Sequence, residues 1–223
     1  HAFVLPPLFV SKSSKKVKKS ICKVCINLME SICRKSGIKT ITSEEVFLNK
    51  TGISEWHYEL VRNGAIARLK YELLINLSLD IKDIKTQFRK SYKSLINSGL
   101  KMWQVGILKH ADEVIWQEFR DLHLYVSGRI TRSEESWNMH FSVLEKGNAF
   151  LVYLRDIDGR MIGGGFFLTS PTEASYGVAA YDRSLFDKPI GHVVQFIAIG
   201  EMQLLKISWY KIGIRGFLTY IPK

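Results

Sequence analysis

Cysteine is scarce. Three in 223 residues are an odd number and too few for a disulfide scaffold, which suits a reducing compartment. Long apolar runs are missing as well: the longest stretches free of Asp, Glu, Lys and Arg are Met161–Thr172 and Pro189–Gly200, twelve residues each, whereas a membrane-spanning helix needs ~18 or more. Ala2 to Val10 does not make a secretory leader, being short, broken by Pro6 and Pro7, and preceded by no basic residue. The expectation is a cytoplasmic protein. The sequence also has no Walker loop, HExxH, GxSxG or paired metal-ligand motif, so nothing points to a hydrolase or a metalloenzyme and no metal is expected. Cys22 and Cys25 form a CxxC pair, but no second pair or nearby His completes four ligands. With Cys33 they follow an apolar stripe and read as small core residues.

Acidic residues are few in the first half. Residues 1–100 hold eighteen Lys and Arg against eight Asp and Glu, while residues 101–223 hold fourteen against thirteen. The run Lys12-Ser-Ser-Lys-Lys-Val-Lys-Lys19, with Lys15, Lys16, Lys18 and Lys19 at its centre, is either a landing strip for phosphates of RNA, nucleotide-sugar or lipid headgroups, or a solvated helix start. At 46% hydrophobic and 24% charged the chain is globular rather than disordered or fibrous, with room for one large domain or one and a half average ones.

Apolar spacing from Val17 to Arg34 predicts an amphipathic helix with Ile21, Val24/Cys25, Leu28/Met29 and Ile32 facing inward and Gly37 as its C-cap. A strand over Ile38–Leu48 and a short helix after Ser54, ending near Gly64, follow. Tyr71–Ser78 reads as a strand, then one helix with the stripe Ile81, Ile84, Phe88, Tyr92, Leu95/Ile96, stopped by Gly99. Trp103–Leu108 reads as a strand, and helices follow over Glu113–Tyr125 and from Ser133 to Gly147. The pattern is clearest after that: apolar strands Ala149–Leu154, Met161–Ser170 and Ala174–Tyr181, joined by Asp158-Gly159 and Pro171-Thr-Glu173, predict an antiparallel meander. A long helix opened by Pro189 and a returning strand Ser208–Ile212, parallel to the third strand, complete an α+β layer.

Several segments together resemble one family. Phe119-Arg-Asp-Leu-His123, Ser127-Gly-Arg-Ile-Thr-Arg-Ser133, Trp137, Ala149-Phe-Leu-Val152, Ile162-Gly-Gly164, Tyr176-Gly177, Tyr181-Asp-Arg183 and Lys188-Pro-Ile-Gly-His192 resemble the FemAB-like branch of the GNAT acyltransferase superfamily. So do Ile75–Leu79 and Phe88–Asn97 upstream. The resemblance covers roughly residues 70–215 and implies tandem GNAT-like domains: a GNAT-like mixed sheet with an antiparallel meander flanked by helices over 70–223, unfinished at its C-terminus, preceded over 1–69 by the C-terminal part of a first such domain. An incomplete first domain predicts an exposed apolar patch near the Val17–Arg34 helix. The resemblance further implies metal-independent transfer of an acyl or aminoacyl group to an amine of a cell-envelope, peptidoglycan or surface-polysaccharide precursor. The alternative is a non-catalytic GNAT-like module that binds RNA or another anionic partner.

Coenzyme A-dependent GNAT enzymes cradle the pyrophosphate on a glycine-rich turn before the long helix. Here Asp182-Arg-Ser-Leu-Phe-Asp-Lys-Pro-Ile-Gly-His192 has a single glycine. Acyl-coenzyme A is therefore the less expected donor, and the resemblance to FemAB-like proteins, which also lack that turn, implies aminoacyl-tRNA or a carrier-bound acyl group, with no permanently bound cofactor. Arg129, Arg132 and Ser133, leading into a helix start with Trp137, are candidates for holding an anionic substrate in a cleft shared with Arg183 or Lys188. Asp182 is the candidate base, Tyr181 or His192 the candidate acid, and Tyr176 is a further candidate for binding substrate. Asp182 capping a turn, the arginines pairing with Glu134 or Glu135, and His192 satisfying a backbone carbonyl are the structural alternatives. Arg89, Lys90, Tyr92 and Lys93 interleave basic and aromatic residues as a phosphodiester-tracking surface does, or form a solvated helix face.

Overall fold

The computed structural model describes residues 1–9, 12–44, 53–68 and 70–216, which fall into two compact units, His1–Leu69 and Lys70–Lys223. In the first unit, strand β1 (Ala2–Phe3), helix α1 (Lys15–Ser36), strand β2 (Ile41–Thr42) and helix α2 (Glu55–Arg62) surround a small core. The Ser14 hydroxyl caps α1, accepting from the Val17 amide at 3.3 Å, and Gly37 ends it in the left-handed conformation. β1 and β2 pair in parallel; residues 45–48 of the expected strand lie outside the described residues.

α1 buries its cysteines, as expected, but not the rest of the expected stripe. Cys22, Ile26 and Cys33 are buried, with Met29 and Cys25 packed partly against Trp56 and Leu60, whereas Ile21, Val24, Leu28 and Ile32 face solvent. The helix carries two apolar stripes, and the small cysteines let the Trp56 indole approach. Trp56 also donates from Nε1 to the Ser43 hydroxyl at 2.9 Å. Ile21, Val24, Leu28 and Ile32 leave an exposed apolar stripe along α1.

The second unit is one six-stranded sheet between two helical layers. Its elements are β3 (Lys70–Asn76), α3 (Ile81–Thr86), α4 (Lys90–Gly99), β4 (Gln104–Leu108), α5 (Glu113–Ser127), α6 (Glu134–Glu145), β5 (Ala149–Arg155), β6 (Met161–Thr169), β7 (Glu173–Tyr181), α7 (Ile190–Leu204) and β8 (Trp209–Gly216). The strand order is β3-β8-β7-β6-β5-β4. β5, β6 and β7 form the expected antiparallel meander, and β8 runs parallel to β7 after the α7 crossover. The helix predicted from Ile81 to Gly99 is two helices. Arg89 is extended at φ −54°, ψ 145°, Thr86 turns its hydroxyl back onto the Asp83 carbonyl, and Lys93 Nζ caps the Thr86 carbonyl at 2.8 Å. These side-chain bonds replace backbone bonds that a continuous helix would make.

Each face of the sheet has its own core. Phe150, Val152, Ile162 and Phe167 pack under α7, while Leu151, Phe166, Val178 and Ala180 pack under α5 and α6 with Trp116, Phe119 and Trp137. The strand period of two sorts them along β5, and in β6 the register shift opposite Leu154 and Arg155 resets it, so that Ile162 and Phe167, an odd number apart, share the α7 face. β6 carries glycines where helices press closest: a methyl group at Gly163 would lie 2.3 Å from Ile190, and one at Gly165 2.8 Å from Val194.

Candidate functional site

β7 and β8 are hydrogen-bonded only from Glu173–Ser175 to Trp209–Lys211. Beyond that point β7 stays with β6 as far as Tyr181, and β8 stays with β3 as far as Gly216. The two strands therefore part, opening a gap toward the end of the sheet where β7 finishes and α7 begins.

A bulge shapes the wall of that gap. Phe166 pairs with Val178 and Phe167 with Tyr176, leaving Gly177 as the extra residue. In an unbroken strand, Tyr176 and Tyr181 would point to opposite faces, since they are an odd number of residues apart. The bulge resets the alternation, so both pack on the α7 side, and their hydroxyls meet at 2.6 Å. Tyr210 of β8 joins them by donating to Gln195 Oε1 on α7. Burial raises all three phenols above their ordinary value, and hydrogen bonding with Gln195 opposes the rise in each. They remain protonated donors at any physiological pH. Tyr181 also lies against the first turn of α7, where a methyl group on Gly191 would come 3.5 Å from its ring. The N-cap of α7, Pro189, makes no side-chain capping bond.

Asp182, expected as the base, sits one residue beyond Tyr181 and is buried. Its Oδ1 accepts from the Ser184 amide at 2.9 Å and the Ser184 hydroxyl at 2.7 Å, and Arg160 lies 3.1 Å from Oδ2. Ser184 first, with Arg160 adding to it, holds this carboxyl below its usual range. A carboxylate so engaged is a turn cap, not a group reaching for a proton; of the alternatives read from the sequence, the structural one describes it. His192, on the first turn of α7, stacks edge-on against Tyr92 of α4 with ring centroids 4.6 Å apart.

On the opposite face, at the same end of the sheet, the α5–α6 loop encloses a cavity of about 260 Å3 lined by Arg120, His123, Arg129, Arg132, Glu134 and Trp137 among others. The shared end follows from chain direction: β4 runs away from it, and α5 returns to it. Trp137 is buried and forms a floor, with the guanidinium carbons of Arg120 and Arg132 5.8 and 5.9 Å from its ring centroid. Arg120 pairs with Glu134, so the pairing foreseen for Arg129 or Arg132 falls to another arginine. Burial, then the neighbouring Arg132, lowers the His123 pKa. Ser133 spends its hydroxyl on capping α6, accepting from the Ser136 amide at 3.2 Å.

The expected shared cleft is not formed. Neither Arg183 nor Lys188 lines this cavity; Arg183 is exposed in a short 3-10 turn, and Lys188 pairs with Asp187 at 2.8 Å. Arg89, Lys90 and Tyr92 are exposed at the start of α4. Lys93 is only partly exposed, turned back onto Thr86. Sequence reasoning missed Gln195 and Tyr210, which only the α7 crossover brings to Tyr181, and Arg120 and His123, which only the α5–α6 turn brings to Arg132. Among the described residues no group of three His, Cys, Asp or Glu side chains is placed to hold a metal ion.

The parting of two parallel strands beside a meander and under a crossover helix decides the fold. The chain has the GNAT fold. It is similar to FemX, at 12% identity and a TM-score of 0.66 over 95% of this chain and 71% of FemX. It is also similar to the C-terminal domain of a putative lysylphosphatidylglycerol synthetase from Agrobacterium fabrum, at 9% identity and TM-score 0.62 over 92% of this chain and 62% of that one. A tandem GNAT protein from the clavulanic acid biosynthesis pathway matches at 10% identity and TM-score 0.55, over 94% and 64%. The α+β GNAT sheet is thus of the FemX-like form, and the chain spans less than two thirds of the second and third of these proteins. No protein-family model and no curated protein matches the sequence. No helix among the described residues is long and apolar enough to cross a membrane.

Proposed function

We propose that this GNAT-fold chain transfers an activated acyl or aminoacyl group to an amine on a cell-envelope, peptidoglycan or surface-polysaccharide precursor, on the cytoplasmic side. The observation that carries the reading is the Tyr176–Tyr181 hydroxyl pair, 2.6 Å apart, in the gap between β7 and β8 under the start of α7. In the proposed reaction the acceptor amine attacks the carbonyl carbon of an ester or thioester. The tetrahedral intermediate then collapses with loss of the carrier oxygen or sulfur, which takes up a proton while the new amide nitrogen gives one away. Tyr181, kept protonated by burial, supplies the leaving atom's proton, and His192 at the same helix start is the second proton-handling group. The donor is aminoacyl-tRNA or a carrier-bound acyl group, since the β7–α7 connection lacks the glycine-rich turn that suits coenzyme A. FemX and the putative lysylphosphatidylglycerol synthetase support an aminoacyl donor by analogy of fold.

The Arg129–Arg132 cavity is the proposed seat of the acceptor's anionic group, with Trp137 as floor and Arg120 and His123 as its further walls. Residues 1–69 are proposed as part of a first GNAT-like domain. The exposed Arg89 and Lys90 favour a second reading, a non-catalytic module binding RNA. The deciding experiment offers the purified chain a pool of radiolabelled aminoacyl-tRNAs, or acyl thioesters, with a panel of amine-bearing precursors. Label transferred to a precursor and reduced by Tyr181→Phe supports the enzyme. No transfer from any donor, together with salt-steep RNA binding lost in Arg89→Gln/Lys90→Gln, supports the module instead.

A further inference from the structure

α1 has a second face that none of the above uses. At 100° per residue, Val17, Ile21, Val24, Leu28 and Ile32 fall within an arc of about 80°, well round the helix from the Cys22–Ile26–Cys33 side that packs on α2. All five are exposed, Val24 by 64% and Leu28 by 60%. The helix carries seven Lys and Arg against one Glu. That glutamate, Glu30, is 3.6 Å from Arg34, and Lys19 is directed to buried Glu59 at 3.8 Å. Lys15, Lys16, Lys23 and Lys35 form no ion pair among the described residues.

We propose that this face of α1 lies on an anionic phospholipid surface, its apolar stripe sunk among acyl chains and its lysines at the headgroups. The charge selects this occupant. A second copy docked stripe to stripe would set two helices of strongly positive charge side by side, whereas an anionic bilayer offers apolar depth to the stripe and negative charge to the lysines together. The proposal is independent of the acyl-transfer reading, because it concerns the first unit alone.

The test is co-sedimentation of the full chain with large unilamellar vesicles, either equimolar phosphatidylglycerol and phosphatidylcholine or phosphatidylcholine alone. Binding is expected to be about tenfold or more stronger on the phosphatidylglycerol vesicles. Val24→Asp/Leu28→Asp, at positions already exposed, is expected to reduce that binding about tenfold with unchanged circular dichroism, and Leu28→Trp to raise it severalfold. Equal binding to both vesicles overturns the proposal. So does a double variant that binds as well as the parent, or a vesicle-free dimer that the double variant dissociates, which would make the occupant a second copy.

Discussion

Around Tyr176 and Tyr181 the α7 face of the sheet presents hydroxyls and one amide, buried and uncharged. The α5–α6 face at the same end presents three arginines and a histidine around an open cavity. Both are polar sites built over apolar cores, yet they arise differently. The tyrosine cluster depends on backbone geometry: one bulge at Gly177 and one crossover helix align residues that a regular strand would separate. The arginine cavity depends on a loop between two helices, each fixed by its own cap, Gly128 at the end of α5 and Ser133 at the start of α6. A proton donor needs rigid, desolvated surroundings, and an anion site needs positive charge that solvent and substrate can reach. The proposed division of labour follows from those requirements.

If the faces divide the work in this way, the largest effect should come from Tyr181→Phe. It removes the proposed acid while keeping the ring that packs against Gly191, and should lower the transfer rate about a hundredfold or more, with acceptor KM nearly unchanged. Arg132→Ala should do the reverse, weakening acceptor binding by roughly 1.5–3 kcal/mol, the scale of a charged hydrogen bond, and leaving kcat largely intact. Steady-state kinetics on both variants checks the contrast, and equal effects on KM and kcat in the two would break it.

A smaller, pH-dependent effect should mark the cavity. Burial holds the His123 pKa below the ordinary histidine value of 6.5, so the folded protein keeps it neutral where an unfolded chain would begin to protonate. This works against folding as pH falls below 6.5, and the cost grows until pH passes the folded value. An anion bound beside Arg132 should raise the His123 pKa again, so anion affinity should strengthen as pH falls through that window. Titration of the His123 ring protons by NMR, with and without inorganic phosphate, reads this directly, and an unmoved midpoint would count against the anion site.

The smallest effect is expected at Asp182. Its depressed pKa contributes stability that is present above the ordinary aspartate value of 3.8 and lost as pH falls through the folded value. Ser184→Ala should shrink that contribution and cost about 1 kcal/mol of stability at neutral pH. Turnover by the folded fraction should not change, as befits a turn cap; a large loss of turnover would restore Asp182 as the base.

The meander and its crossover were legible because each strand from Ala149 to Tyr181 is a short apolar run closed by turn residues, and Pro189 marks the helix start. The division at Arg89 was not, because no Gly or Pro signals it and side-chain bonds from Thr86 and Lys93 make it. Periodicity found α1 and its core cysteines but also put Ile21, Val24, Leu28 and Ile32 inside, since two apolar stripes share that helix and only the packing of Trp56 distinguishes them. Tyr181, Arg129 and Arg132 could be singled out from sequence, each beside a turn. Gln195, Tyr210, Arg120 and His123 could not, since each is an ordinary residue within a helix or strand until the chain folds. Nor could the sequence show that Arg183 and Lys188 would stay out of the arginine cavity, Lys188 pairing with Asp187 instead.

The proposed reaction requires the acyl donor to enter between β7 and β8, where the Tyr181 hydroxyl can reach its leaving atom. Photo-crosslinking tests it most directly, using a short RNA acceptor stem charged with a diazirine-bearing amino acid, or a pantetheine thioester of the same acyl group, followed by peptide mapping. Adducts on residues 176–181 or 210–213, diminished by excess unlabelled donor, are the predicted result. Adducts concentrated on Arg129–Arg132, or no competable adduct with either donor, would contradict it.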